Sequence, residues 1–267
     1  MTETQGILTE TQGIVLFVAA AVAGAINAVA GGGTMVTFPS LVWSGLPEKL
    51  ANTTSSVALW PGSIGGMWGF RRELRGGGQW LFLLVPSVVG GVVGAVLLFY
   101  TPPEIFRLII PYLILFATIL FMLQDPITRM LQNRGVTGPP SRGLVGSVFL
   151  FQLAIAVYGA YFGAGIGILM LSALSLLRIG DIHLMNALKT LYATCINGMA
   201  AMFFILSGQV DWPRALVMLV GSLVGGYGGA RFARQLGQRT VRWIVICIGL
   251  TIVLVMVFRQ FRGPAES

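Results

Sequence analysis

The apolar positions of this chain do not alternate with polar ones. They run on in stretches that cover roughly 13–30, 34–46, 50–70, 79–100, 104–124, 143–162, 165–178, 184–207, 213–233 and 240–258. Such unbroken runs predict helices rather than half-buried strands. A helix rises about 1.5 Å per residue and needs about 20 residues to cross about 30 Å of hydrocarbon. Most of the stretches reach that length, but 34–46 and 165–178 are too short to cross upright. Each short stretch follows directly on glycines, GGGT at 31–34 and FGAGIG at 162–167. Glycine breaks a helix, accepts positive φ, and leaves unpaired N–H groups at the next helix N-terminus, where partial positive charge favours anions.

The pattern occurs twice. SVVGGVVGA (87–95) laid over SLVGGYGGA (222–230) matches Ser, Val, three Gly and Ala at an offset of 135. An offset of 134 sets Ala30, Gly31 and Gly33 on Ala164, Gly165 and Gly167, and Leu50 and Asn52 on Leu184 and Asn186. The chain therefore divides into a tail (1–12), a first repeat (13–124), a Pro-, Gly- and Arg-rich linker (125–142), a second repeat (143–258) and a C-terminal tail (259–267). Loop charge sets the relative orientation, because cytoplasmic loops carry the excess of Lys and Arg. RRELR (71–75) has the counterpart SGQVD (207–211), whereas TPPE (101–104) has the basic counterpart RFARQLGQRTVR (231–242). Basic and non-basic loops exchange places, so the repeats are expected to be inverted in the membrane, as in many secondary transporters. The linker then lies in the cytoplasm and both termini outside, with Arg259 and Arg262 as exceptions.

Composition agrees with the pattern. Of 267 residues, 55% are hydrophobic and 10% charged, against about a quarter charged in a soluble domain. The expected fold is an all-α integral membrane protein of two inverted-topology repeats. Each repeat has a broken or short helix after a Gly-rich turn and about three full spanning helices. Thirty-six glycines suit close helix packing in lipid. The net charge of +8 comes from basic residues at segment ends, where they fix topology, so nucleic acid is not the expected partner. The mildly acidic start MTETQGILTETQGIV lacks the positive region of a secretory leader, so no cleavage is expected.

Soluble-enzyme chemistry is missing from the sequence. The one histidine, His183, stands at a segment edge beside Asp181, and Cys195 and Cys247 lie inside apolar runs without metal-ligand spacing. GxxxxGK[ST] does not occur. No metal, no cofactor and no enzymatic activity are expected. The polar residues inside the apolar runs are more informative. Asn52, Thr53, Thr54, Ser55 and Ser56 form an unbroken polar run in the third stretch. Lipid excludes such groups unless they face protein or a wet cavity. A cavity is expected here, the alternative being hydroxyls bonded to their own helix. The matching stretch of the second repeat carries Asn186, Lys189, Thr190, Thr194 and Asn197. Asn186, Lys189 and Asn197 fall on one helical face. Lys189 is the most interior charge of the chain; unless it snorkels to an interface, it faces a pathway and needs an anion.

GGGTMVTFPSLVWSGLP followed by ANTTSSVA in the first repeat, with NALKTLYATCINGMAAMFF, SGQVDW and GSLVGGYGGARFA in the second, resembles the sulfite exporter TauE/SafE family. The likeness spans about 13–258. It implies a multi-pass transporter of the bacterial inner membrane. The implied function is secondary transport, as an exporter, of small sulfur-containing anions such as sulfite or C2 organosulfonates (sulfoacetate), by alternating access; a small-anion channel is the alternative. The implied partners are the anion, the lipid bilayer and, optionally, a second copy of the chain. Substrate-binding positions carried over are Gly31, Gly32, Gly33, Thr34, Asn52, Thr53, Ser55, Gly163, Gly165, Asn186, Lys189 and Asn197. The second repeat departs from the triple glycine, having Gly165, Ile166 and Gly167 in register. Gly31 to Thr34 should face Gly163 to Gly167 across a shared cavity.

Overall fold

A computed structural model describes residues 8–29, 32–69, 71–132, 141–177, 179, 181–229, 243 and 245–254, and within them the protein is all-helical. The helices are α1 (Glu10–Val29), α2 (Thr34–Trp43), α3 (Glu48–Gly69), α4 (Leu84–Tyr100), α5 (Pro103–Gln132), α6 (Arg142–Tyr161), α7 (Ile166–Leu176), α8 (Ile182–Leu206), α9 (Trp212–Val224) and α10 (Val245–Leu254). Two 3₁₀ segments, Glu73–Gly76 and Gly78–Leu83, lead from α3 into α4, and a π-helical turn at Gly225–Gly229 extends α9. Among the described residues, five stretches are long and apolar enough to cross a membrane: Glu10–Asn27, Gly78–Tyr100, Pro103–Gln124, Arg142–Tyr161 and His183–Leu206. The helix α3 has the length, but its polar run dilutes its hydropathy.

Local chemistry explains where several helices begin. Ser141 Oγ accepts from Leu144 N–H at the start of α6, and Asp181 caps α8 through His183 N–H. Asp211 caps α9 through Arg214 N–H, with Pro213 in the first turn where its missing N–H costs nothing. The short helices differ. Their N-cap positions are Gly33 and Gly165, neither with a side chain to close the helix end. Gly165 takes φ 79°, in the left-handed region where glycine is favoured. At the other end of the first repeat, α5 runs on through 125–132, which the sequence places in the linker. Pro126 removes one N–H, and the residues after it still continue the helix.

Each short helix folds back beside the long helix that precedes it. Gly33 is wedged against Ala23 of α1, and at the other end of α2 Gln12 Nε2 donates to Ser44 O at 3.5 Å. The helix α2 thus runs antiparallel to α1 and returns the chain to the end where α1 began. At about 1.5 Å per residue it is half the height of a spanning helix. In the second repeat α7 packs on α6, where Ile166 lies against Gly159.

The long helices pack backbone to backbone. A Cβ on Gly90 of α4 would lie 2.8 Å from Leu153 O of α6, and one on Gly225, its counterpart at the 135 offset, would overlap Ala21 O of α1. The α4–α6 and α1–α9 contacts are therefore equivalent under the sequence match. The pairs α4–α8 with α3–α9, and α2–α3 with α7–α8, repeat the same relation. Between them α3 and α8 cross the centre antiparallel, with Thr194 Oγ1 donating to Ser63 O at 3.3 Å and Gly198 lying beneath the Trp60 ring.

Candidate functional site

The two glycine turns and the polar stretches of α3 and α8 meet at one cavity. The ends of the broken helices contribute Asn27 and Thr34 on one side and Gly163, Ile166 and Gly167 on the other. Its walls are Ser56, Leu59, Gly62 and Ser63 of α3, and Lys189, Thr190, Ala193 and Asn197 of α8. Of the two turns expected to face each other, Thr34 on one side and Gly163, Ile166 and Gly167 on the other come together at the cavity, with Thr34 Oγ1 3.6 Å from where a Cβ on Gly163 would stand. The centre of a water molecule can occupy about 60 Å³ of this space, several times what one water needs. That is room for a compact polyatomic ion.

The lining side chains divide by whether their donors are spent. Ser56 donates to Asn52 O, Ser63 to Leu59 O and Thr190 to Asn186 O, all one turn back on their own helices. Thr34, Lys189, Asn197 and the Nδ2 of Asn27 have no hydrogen-bond partner among the described residues. Lys189 is 7% exposed, so it does not snorkel to an interface, and no carboxylate among the described residues pairs with it. Leaving a charge buried and unpaired costs several kcal/mol. A counter-charge at 4 Å in a partly wet protein site returns about 4 kcal/mol. The cavity, bounded by two helix N-termini and a lysine and lined by no carboxylate among the described residues, is therefore complementary to an anion.

Of the residues singled out from sequence, Thr34, Gly163, Lys189 and Asn197 line the cavity. Gly31 lies outside the described residues. Gly32 and Gly33 shape the turn, but their N–H groups are not open to the cavity: both are taken by Asn27 Oδ1, at 3.0 and 3.4 Å. Gly32 has φ 135°, and a side chain there would overlap the Phe121 ring. Gly165 caps α7 from behind the lining. Asn186 sits one turn before Lys189 and off the cavity wall.

The polar run of α3 departs most from expectation. Asn52 Nδ2 donates to Tyr161 O at 2.9 Å, Thr53 bonds the carbonyls of Lys49 and Leu50, and Ser55 shares a 2.6 Å hydrogen bond with Thr37. Thr54 accepts from Asp211 N–H. Only Ser56 of the five reaches the cavity; the others join helices or satisfy their own backbone, as small polar residues do in apolar surroundings. The α3 residues that do form the wall, Leu59, Gly62 and Ser63, lie up to two turns further on and carry little polarity to announce them. Asn27 was missed from sequence, where the signal was a lone asparagine in an otherwise apolar stretch.

Apolar helices of membrane-crossing length around a small cavity, with two short helices ending at it, form an architecture that membrane transporters use. The chain belongs to the sulfite exporter TauE/SafE family, whose model matches residues 16–256. It is 27% identical over 237 residues to "Probable membrane transporter protein YfcA" of Escherichia coli (strain K12), covering 87% of this chain and 84% of that protein. It is also 27% identical to "Probable membrane transporter protein" of Haemophilus influenzae, covering 90% of this chain and 92% of that one. A Sinorhizobium sp protein, "Probable membrane transporter protein ORF9", is 27% identical with 89% of each chain covered. No solved structure matches. The protein is thus a multi-pass membrane transporter, of a family that resides in the inner membrane in bacteria.

Proposed function

We propose that the protein is a secondary transporter that exports small sulfur-containing anions, sulfite or a C2 sulfonate such as sulfoacetate. The observation that carries this reading is Lys189, a buried cation without a counter-ion among the described residues, facing a cavity with room for a compact oxyanion. The family's description names sulfite. Thr34, Asn197 and the first residues of α7 are the donors we assign to the anion's oxygens, with Lys189 supplying the charge. Alternating access follows from two repeats of inverted topology rocking about the α3–α8 crossing. The paired helix contacts and the half-height helices support that arrangement.

Transport by purified protein in liposomes tests it. Vesicles loaded with unlabelled sulfite should take up external labelled sulfite by counterflow, with saturation and with competition by sulfoacetate. An imposed membrane potential should bias net flux, since it acts on each anionic charge with about 2.3 kcal/mol per 100 mV. Unsaturable conductance without counterflow would identify a channel, and no flux of either anion would dismiss the substrate assignment.

A further inference from the structure

Asn27 reaches the cavity from α1, a helix to which the sequence pattern assigns no binding role. Its carboxamide is held by one atom. Oδ1 accepts from Gly32 N–H at 3.0 Å and from Gly33 N–H at 3.4 Å, closing the α2 N-terminus that has no cap of its own. Two N–H donors require an acceptor, so the oxygen must be the atom facing the turn, and this settles which end of the amide is which. The planar amide then turns Nδ2 and its two hydrogens away from the turn. No acceptor among the described residues receives them. Donors without a partner among the described residues, facing a cavity wide enough for a small ion, favour a ligand that accepts.

The second repeat is built differently. The position equivalent to Asn27 at the 134 offset is Tyr161, whose hydroxyl donates to Thr101 Oγ1 at 3.2 Å. The start of α7 meets the cavity at Ile166 and Gly167, and Gly167 has only backbone to present. One helix end therefore addresses the cavity through backbone, and the other through a side chain seated on its N–H groups.

The geometry points to Asn27 as a ligand of the transported anion: Nδ2 donates to an anion oxygen opposite Lys189 while Oδ1 closes α2. This assignment rests on the anion-transport reading and adds a residue to it. It also changes the role of Gly32 and Gly33, which orient the amide rather than touch the substrate.

Two substitutions separate binding from capping. Asn27→Asp keeps an oxygen on the Gly32 and Gly33 N–H groups but replaces the free donor with an anionic oxygen. Asn27→Ala removes both functions. Affinity for sulfite and for sulfoacetate would be measured calorimetrically on purified full-length protein, beside the melting temperature of each anion-free variant. The stability order should be Asp equal to or above wild type, its second oxygen facing the Lys189 charge, with Ala below both. The affinity order should be wild type, then Ala about tenfold weaker, then Asp about a hundredfold weaker. Affinities that follow the stability order, with Asn27→Asp binding like wild type, would reduce Asn27 to a helix cap and overturn the assignment. Should Asn27→Ala fail to fold, Asn27→Asp alone decides on the same criterion. Lys189→Gln, measured in parallel, separates the two levels. If it binds like wild type, the anion-site reading itself falls; if it loses binding while Asn27→Asp keeps it, only the Asn27 assignment falls. Wild-type protein that binds neither anion overturns both.

Discussion

Lys189 and Arg214 are both buried cations, 7% and 4% exposed, with opposite surroundings. Arg214 Nη1 pairs with Asp211 Oδ2 at 3.0 Å, Nε donates to Ser44 Oγ at 3.1 Å, and Nη2 donates to Ser44 O at 3.2 Å. Asp211 in turn donates its N–H to Thr54 Oγ1, so the group ties α9 to the end of α2 and to α3. Removing one member of a buried pair strands the other charge, which typically costs about 3–5 kcal/mol. Arg214→Ala should therefore lower the unfolding free energy in detergent by about that much, and Arg214→Gln with Asp211→Asn should lose less than the single change. An unchanged unfolding midpoint for Arg214→Ala would show that the clasp bears no structural load. Lys189 has no such partners among the described residues, and the same logic makes its charge a cost to the anion-free protein.

At the scale of elements, the long helices and the two short ones were legible because apolar run length and glycine position map directly onto them. GGGT and FGAGIG do open α2 and α7. The site was legible where a residue had no inexpensive alternative: a lysine in an apolar helix must find a charge or a wet space, and Lys189 finds the cavity. Hydroxyls do have an alternative. Thr53 bonds its own helix, and Thr54 and Ser55 bond neighbouring helices, so a run of polar letters did not mark a polar surface. Nor could sequence show that the oxygen of Asn27 would cover the N–H groups of Gly32 and Gly33, because that depends on α2 doubling back along α1.

At the scale of the molecule, a paired set of helix contacts surrounds the cavity that Lys189 faces. The topology of the protein is testable by labelling. With Cys195 and Cys247 replaced by serine, a cysteine at exposed Arg72 should react with a membrane-impermeant thiol reagent only in inverted vesicles, and one at Gly208 only in intact cells. Labelling of both from the same side would contradict the inversion of the repeats. The central claim, that the cavity is an anion site organised on Lys189, is tested most directly by Lys189→Met. Replacing an unpaired buried charge with an apolar chain of similar length should leave the anion-free protein as stable as wild type or more so. Sulfite affinity, measured calorimetrically on the same preparation, should fall by about tenfold or more. Wild-type affinity in Lys189→Met would contradict the account.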